Sequence, residues 1–239
     1  MTQPESRTQT QSTENAAKTP GPRFVVKQLR VDRAAVFIDG GYLDKLLRED
    51  FPGTHIDYRK LLGELSRGGR EVFRANYYTA LSYQSNPPTL DEEDRREAQV
   101  GFLSCLRRIP GFRVCLGKLE RRDTREGFEY RQKRVDVMLA IDVARLAMNG
   151  QVSELILFAG DSDFVPLLDL ARELGIKVRL FHSKDPRHCH RDLYEAADAR
   201  TPIDEALLAK VRHERSHHGS WARPVLPGNA PGSSLRESA

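Results

Sequence analysis

The chain has 239 residues, 39% of them hydrophobic, and it carries a formal net charge of +4 with a pI of about 9.0. This length fits one domain with tails, and the mild basicity suits an anionic partner such as nucleic acid without requiring one. Three widely spaced cysteines exclude a disulfide-rich secreted class, and no apolar run approaches the roughly 20 residues of a membrane-spanning helix.

Both ends of the chain have the composition of flexible tails. Residues 1–30 are rich in Thr, Gln, Ser and Glu with almost no aromatics, so we expect them to be disordered. Residues 204–239 are expected to hold the end of a C-terminal helix followed by another tail, which leaves 31–203 as the folded domain. The N-terminus lacks the apolar segment of a secretory signal, and we expect a cytoplasmic protein without a membrane segment.

The first half of the folded region alternates predicted strands and helices. Ala34–Ile38 is a short apolar run that ends in Asp39-Gly-Gly, which is typical of a buried parallel strand. The next predicted elements are a helix at Tyr42–Arg48, a helix at Asp57–Ser66, a strand at Glu71–Leu81, a helix at Leu90–Arg108 and a strand at Phe112–Leu116.

The second half begins with a highly charged stretch, Lys118–Lys133, which predicts a hairpin. The elements predicted after it are an amphipathic helix at Val135–Met148, a strand at Glu154–Phe158, a helix at Phe164–Leu174, a strand at Lys177–Phe181 and a closing helix at Arg191–Ala199. This alternation indicates an α/β fold in which helices cover both faces of a central, mainly parallel sheet of about five strands.

Acidic residues follow two of the apolar strands directly. Asp39 comes after the first strand, and Asp161 and Asp163 come after Glu154–Phe158. Because ligands bind at the carboxyl ends of parallel strands, these carboxylates are candidates for a shared site. Each could instead cap the helix that follows it. Asp136, in the first turn of its helix, is likewise either a favourable helix-start acid or a carboxylate aimed into the site.

Several clustered carboxylates without an obvious nucleophile favour a divalent cation. Their hard oxygen atoms suit Mg²⁺ or Mn²⁺, which bind phosphate oxygens and activate water in phosphodiester hydrolysis. Without a cation, the carboxylates would repel one another and some would become protonated.

Three segments carry a family resemblance: AVFIDGGYL, KRVDVMLAIDV and ELILFAGDSDFVPLLDLARELGIKVRLF. From about Arg33 to Thr201 the chain resembles the NYN domain of the LabA-like group, within the PIN-like nuclease superfamily. The resemblance implies a PIN-like three-layer α/β fold and ribonuclease activity with Mg²⁺ or Mn²⁺. It also implies that Asp39, Asp136, Asp161 and Asp163 are the catalytic, metal-binding acids, which makes RNA the expected partner.

One residue departs from the family pattern. After the first acid the family usually has Gly-x-Asn, whereas this chain has Tyr42 in DGGYL. A tyrosine cannot reproduce the geometry of an amide near a metal. A catalytically weak or inactive RNA-binding module on the same fold is therefore the alternative function.

Basic residues lead into the Asp136 helix and are candidates for phosphate contacts. The residues expected to bind nucleic acid are Arg122, Arg131, Lys133, Arg134 and the hydroxyl-bearing Ser162. The basic stretch could equally be a solvated loop, and a homodimer stays open. Cys189 and His190 are adjacent, which is not the spacing of a structural zinc site.

A haloacid-dehalogenase-type phosphatase is the rival enzyme, because its last motif is similar to GDSDF. That class needs a second Asp two residues after the first, where this chain has Gly41.

Overall fold

A computed structural model describes residues 32–124 and 127–214, and within 120–133 it describes the backbone alone. The tails expected at 1–30 and after 214 lie outside the described residues. The predicted domain limits therefore stay predictions.

Six parallel strands form the central sheet, in the order β3-β2-β1-β6-β7-β8, and β4 and β5 form a separate antiparallel hairpin. The strands are β1 Arg33–Asp39, β2 Glu71–Thr79, β3 Phe112–Leu116, β4 Lys118–Thr124, β5 Gly127–Lys133, β6 Glu154–Phe158, β7 Lys177–His182 and β8 Ala199–Pro202. The helices are α1 Gly40–Asp50, α2 Tyr58–Leu65, α3 Leu90–Arg107, α4 Val135–Met148, α5 Val165–Glu173, α6 Arg191–Ala196 and α7 Glu205–Val211.

The strand order reverses between β1 and β6, which are neighbours although more than 100 residues separate them. The chain builds outward from β1 to β2 and β3, then returns to the other side of β1 to build β6, β7 and β8. Ile38 pairs with Phe158, so the carboxyl ends of β1 and β6 are level with each other. In sheets of this kind ligands bind at this point.

Helices cover both faces of the sheet. Successive side chains of β1 alternate: Ala35 and Phe37 pack with α4 and α5, whereas Val36 and Ile38 pack with α1, α2, α3 and α7. Because β1 is buried on both faces, its sequence is a continuous apolar run rather than an alternating one. The predicted three-layer α/β fold is confirmed.

The end of the domain differs from the prediction. The closing helix stops at Ala196, and Ala199–Pro202 forms a sixth strand beside β7. This segment, ARTP, has no apolar run and ends in proline, which is tolerated because β8 is an edge strand. Among the described residues, no helix is both long and apolar enough to cross a membrane.

Candidate metal centre at the carboxyl edge of the sheet

Asp39 joins the end of β1 to the start of α1. Its Oδ1 accepts a hydrogen bond from the backbone N–H of Tyr42 at 3.1 Å, which caps the helix. The next residue must be small, because a Cβ on Gly40 would lie 2.6 Å from the Tyr77 ring. The sequence Asp-Gly-Gly therefore turns the chain tightly while holding a carboxylate at the switch point.

The surroundings of Asp39 disfavour its charge. Its pKa is raised from 3.8 to about 7, chiefly by burial and also by the charges of Asp136 and Asp44, which together outweigh the opposing hydrogen bonds from Tyr42 and Gly41. Asp39 and Asp136 therefore lie within electrostatic reach of each other. Asp44, on α1, was not predicted; its Oδ1 accepts a hydrogen bond from the Tyr77 hydroxyl at 3.2 Å.

Asp136 lies exposed in the first turn of α4. The preceding Arg134 has a left-handed backbone, with φ of 73°, and its side chain is exposed. This unusual conformation redirects the chain from the β5 strand into α4. The side chain of Val135 packs in the core, and this contact fixes the direction in which the neighbouring Asp136 side chain projects from the helix.

Asp161 and Asp163 lie just beyond β6, at the same edge of the sheet as Asp39. Asp161 caps the 3-10 turn Ser162–Phe164: its Oδ1 accepts the backbone N–H of Asp163 at 3.1 Å. Both acids are exposed, and Ser162 between them is partly buried. A capping Asp with an exposed carboxylate keeps oxygen atoms available to a ligand, so capping and metal binding are compatible functions.

The tightest candidate for a metal in the described chain lies elsewhere. Ligand atoms of Asp50, Asp185 and His188 all lie within 4.8 Å of one another, and the four predicted aspartates form no such group among the residues described. Asp50 ends α1, whose 11 residues span roughly 16 Å, so this group is separate from Asp39. It could hold a divalent cation, because it offers carboxylate oxygens and an imidazole nitrogen.

This group also ties the loop after β7 to α1. His188 places Nδ1 3.3 Å from Asp50 and Nε2 2.8 Å from Glu49, and the Ser183 hydroxyl donates to Asp50 at 2.7 Å. No sequence pattern predicts this group, because Asp50 and His188 are 138 residues apart and lie next to each other only in the folded chain. Neither Cys189 nor His190 belongs to the group.

Tyr42 lies between the two acidic groups. Its hydroxyl accepts a hydrogen bond from the backbone N–H of Ser183 at 2.8 Å, and its ring lies against Gly160, where any Cβ would collide with it. The side chain therefore points from α1 toward the loop after β7. It fixes the two segments together.

Asp142 has a structural function. Its carboxylate pairs with Arg145 at 2.7 Å and Arg113 at 3.3 Å, and it accepts the Tyr78 hydroxyl at 2.9 Å. Arg134 is an exposed cation beside the predicted centre. The side chains of Arg122, Arg131 and Lys133 lie outside the described residues, so their contacts with nucleic acid stay predictions.

Comparison with known proteins identifies the family. The family model of the NYN domain matches residues 33–204. No curated protein matches the chain. A solved structure, the crystal structure of Acinetobacter baumannii MurG, aligns at 13% identity over 72% of this chain and 41% of that protein, with a TM-score of 0.33. So low a score carries no conclusion about this chain. The NYN match covers well over half of the chain and coincides with the described α/β domain, so this chain belongs to the NYN domain family of PIN-like nucleases.

Proposed function

We propose that this protein is a metal-dependent ribonuclease that hydrolyses phosphodiester bonds of RNA. Asp39, Asp136, Asp161 and Asp163 would be the ligands of Mg²⁺ or Mn²⁺. The observation that carries the proposal is the environment of Asp39, a carboxyl group at the switch point whose pKa is raised to about 7 by burial and by neighbouring acids. A bound divalent cation would favour the ionised form of this carboxyl group, which burial and the neighbouring acids disfavour.

The donor set fits a hard cation. Asp39 and Asp136 are close enough for the charge of one to act on the other, and Asp161 follows the adjacent strand with its carboxylate exposed. A bound divalent ion would supply positive charge for phosphate oxygens and for an attacking water. The protein would supply orientation, because Asp39 and Asp161 are each held by a backbone N–H.

The second candidate is an RNA-binding module with little or no cleavage. Tyr42 favours it, because its hydroxyl is engaged by Ser183 and its ring by Gly160. The Tyr42 side chain thus connects two segments of the fold. It offers no amide beside Asp39, whereas the family usually has asparagine at this position.

Cleavage of a fluorescent single-stranded RNA in Mn²⁺ tests the two candidates. We expect Asp39→Asn and Asp161→Asn to lose at least about a hundredfold in rate, because a catalytic metal contributes several kcal/mol. The matched control is Asp169→Asn, which removes an exposed acid on α5 paired with Arg172 at 3.1 Å, and it should keep the wild-type rate.

The outcomes separate the candidates. Wild-type protein that binds RNA but never cleaves it would support the RNA-binding module, and cleavage that survives both aspartate substitutions would rule out this centre. The same assay with single-stranded DNA, and with Mg²⁺ in place of Mn²⁺, tests the proposed substrate and cation.

A further inference from the structure

We propose that the cleft beside Asp161 binds one nucleotide of a single-stranded RNA, with its base against Tyr42 and its phosphate near Lys45 and His190. This inference rests on the proposed function and extends it from the metal centre to the positioning of the substrate. It also assigns a function to the tyrosine that departs from the family pattern.

The cleft has a volume of about 320 Å³ and opens at the carboxyl edge of the sheet. One wall is α1, which contributes Tyr42 and Lys45 from positions three residues apart and thus from one helix face. The facing wall is formed by the loop before α6, and the end next to the proposed metal centre is formed by Asp161. A strand bound here would lead directly toward that carboxylate.

The apolar part of the cleft suits a nucleobase. Pro186 lines it together with Tyr42, and the buried Leu46 lies beneath them. The Tyr42 ring is held in place at both ends, by Gly160 beside the ring and by the Ser183 N–H at the hydroxyl. A fixed aromatic ring is a suitable platform for an unpaired base of any sequence, because every base presents a π-face.

The polar part of the cleft suits a phosphate. Lys45 is exposed, and although its charge acts on Glu49 in the same helix, its ammonium can contact an anion. His190 is exposed, and its Nδ1 accepts the backbone N–H of Asp192 at 3.3 Å, which leaves Nε2–H as a hydrogen-bond donor. Arg187 also lines the cleft, but it is already paired with Asp185, so we assign it no phosphate.

Of the forms that the proposed RNA substrate can take, a single strand fits the cleft, because a base must leave its stack to enter a cleft of this kind. In a duplex the bases are paired and stacked inside the helix, and turning one out would cost a few kcal/mol. A duplex of the same sequence should therefore bind without using Tyr42.

The test measures binding without cleavage. Fluorescence anisotropy with a labelled single-stranded RNA would be recorded in EDTA over a range of KCl, using Asp39→Asn as the uncleaving background. In that background we expect Lys45→Gln to raise Kd several-fold and to reduce the slope of log K against log salt by about 0.7, which is the loss of one phosphate contact. His190→Ala should raise Kd to a similar extent.

The tyrosine is tested by a pair of substitutions. Tyr42→Ala should raise Kd by roughly five- to a hundredfold with little change in the salt slope, because the lost interaction is stacking. Tyr42→Phe keeps the ring but loses the hydrogen bond from Ser183, so its Kd should lie much closer to that of the background than the Kd of Tyr42→Ala does. Lys177→Gln is the matched control for charge, since the exposed Lys177 begins β7 at the opposite edge of the sheet.

Failure of this inference is distinguishable from failure of the nuclease proposal. If Lys45→Gln, an exposed change that should fold normally, has the Kd and salt slope of its background, the cleft does not bind the strand, whatever the cleavage assay shows. If it weakens binding as expected but the wild type never cleaves RNA, this inference stands and the nuclease proposal is wrong. Equal losses for Lys45→Gln and Lys177→Gln would indicate nonspecific charge and would also overturn the inference.

Discussion

Replacing Asp39 by asparagine should make the metal-free protein more stable at neutral and alkaline pH. Asparagine is as good a helix cap as aspartate, so the bond from the Tyr42 N–H can be kept. What the substitution removes is a carboxylate whose ionised form is disfavoured by burial and by Asp136 and Asp44. Removal of a proposed catalytic acid is thus expected to stabilise the fold, as in the stability–function trade-off of many active sites.

The size of the effect follows from the pKa of Asp39, which is about 7 in the folded protein and 3.8 ordinarily. Below pH 3.8 the group is protonated in both states and has no effect on stability. Between 3.8 and 7 the folded state keeps a proton that the unfolded state has lost, so wild-type stability falls by about 1.4 kcal/mol per pH unit. Above pH 7 the loss is constant at up to about 4 kcal/mol. Asparagine does not titrate, so the Asp39→Asn protein does not lose this stability as the pH rises.

Urea denaturation in EDTA at pH 5 and pH 8 measures the effect. We expect the stability advantage of Asp39→Asn to grow by about 3 kcal/mol between these pH values. The matched control is Asp142→Asn, the same change at an acid with cationic partners, which should destabilise by about 1–3 kcal/mol at both. An Asp39→Asn protein that is less stable than wild type at pH 8, or an advantage independent of pH, would refute the assigned environment.

Three further predictions concern metal affinity, two glycines, and Arg134 at the end of the β4–β5 hairpin. Mn²⁺ affinity, measured by calorimetry, should rise up to about tenfold per pH unit below pH 7 with release of about one proton, and Asp39→Asn should flatten this dependence. In thermal unfolding, Gly160→Ala should destabilise by about 1–3 kcal/mol, because its Cβ would collide with the backbone oxygen of His188 and with the Tyr42 ring. Gly63→Ala, in an open position on α2, should stabilise by up to about 1 kcal/mol, and effects of equal sign at the two glycines would contradict this packing. Asparagine tolerates the left-handed backbone at position 134, so Arg134→Asn should keep or slightly raise the stability of the fold. It should also weaken RNA binding and reduce the salt dependence of that binding, and unchanged binding would exclude a phosphate contact by Arg134.

The sheet was predictable from sequence wherever burial on both faces produced an apolar run. β1 and β6 satisfy this condition, and the structure places both next to each other at its centre. β8 does not, because an edge strand needs fewer apolar residues, and the sequence pattern predicts no strand there: only Ala199 lies in a predicted element, the closing helix. The helix α1 begins two residues before the predicted start at Tyr42, because Gly40 and Gly41 are helical although glycine disfavours a helix.

The candidate site was predictable only where an acid follows a buried strand. Asp39 and Asp161 carry that signal, and both lie at the switch point. Asp44 does not follow a buried strand, and its proximity to Asp39 depends on the direction in which α1 runs from the end of β1. The group of Asp50 and His188 with Asp185 depends on contacts between segments far apart in sequence, which residue spacing does not encode.

The connection between α1 and the loop after β7 bears on how the protein would bind its substrate. The helix is capped at its start by Asp39, held in its first turn by the Tyr42–Ser183 bond, and tied at its end to His188 through Glu49 and Asp50. Both walls of the proposed nucleotide cleft are therefore fixed before any ligand arrives. Because little ordering entropy is lost in binding to a preformed cleft, a few contacts suffice for useful affinity. The tyrosine that replaces the family asparagine would in this way exchange a polar group near the metal for a rigid surface that positions RNA.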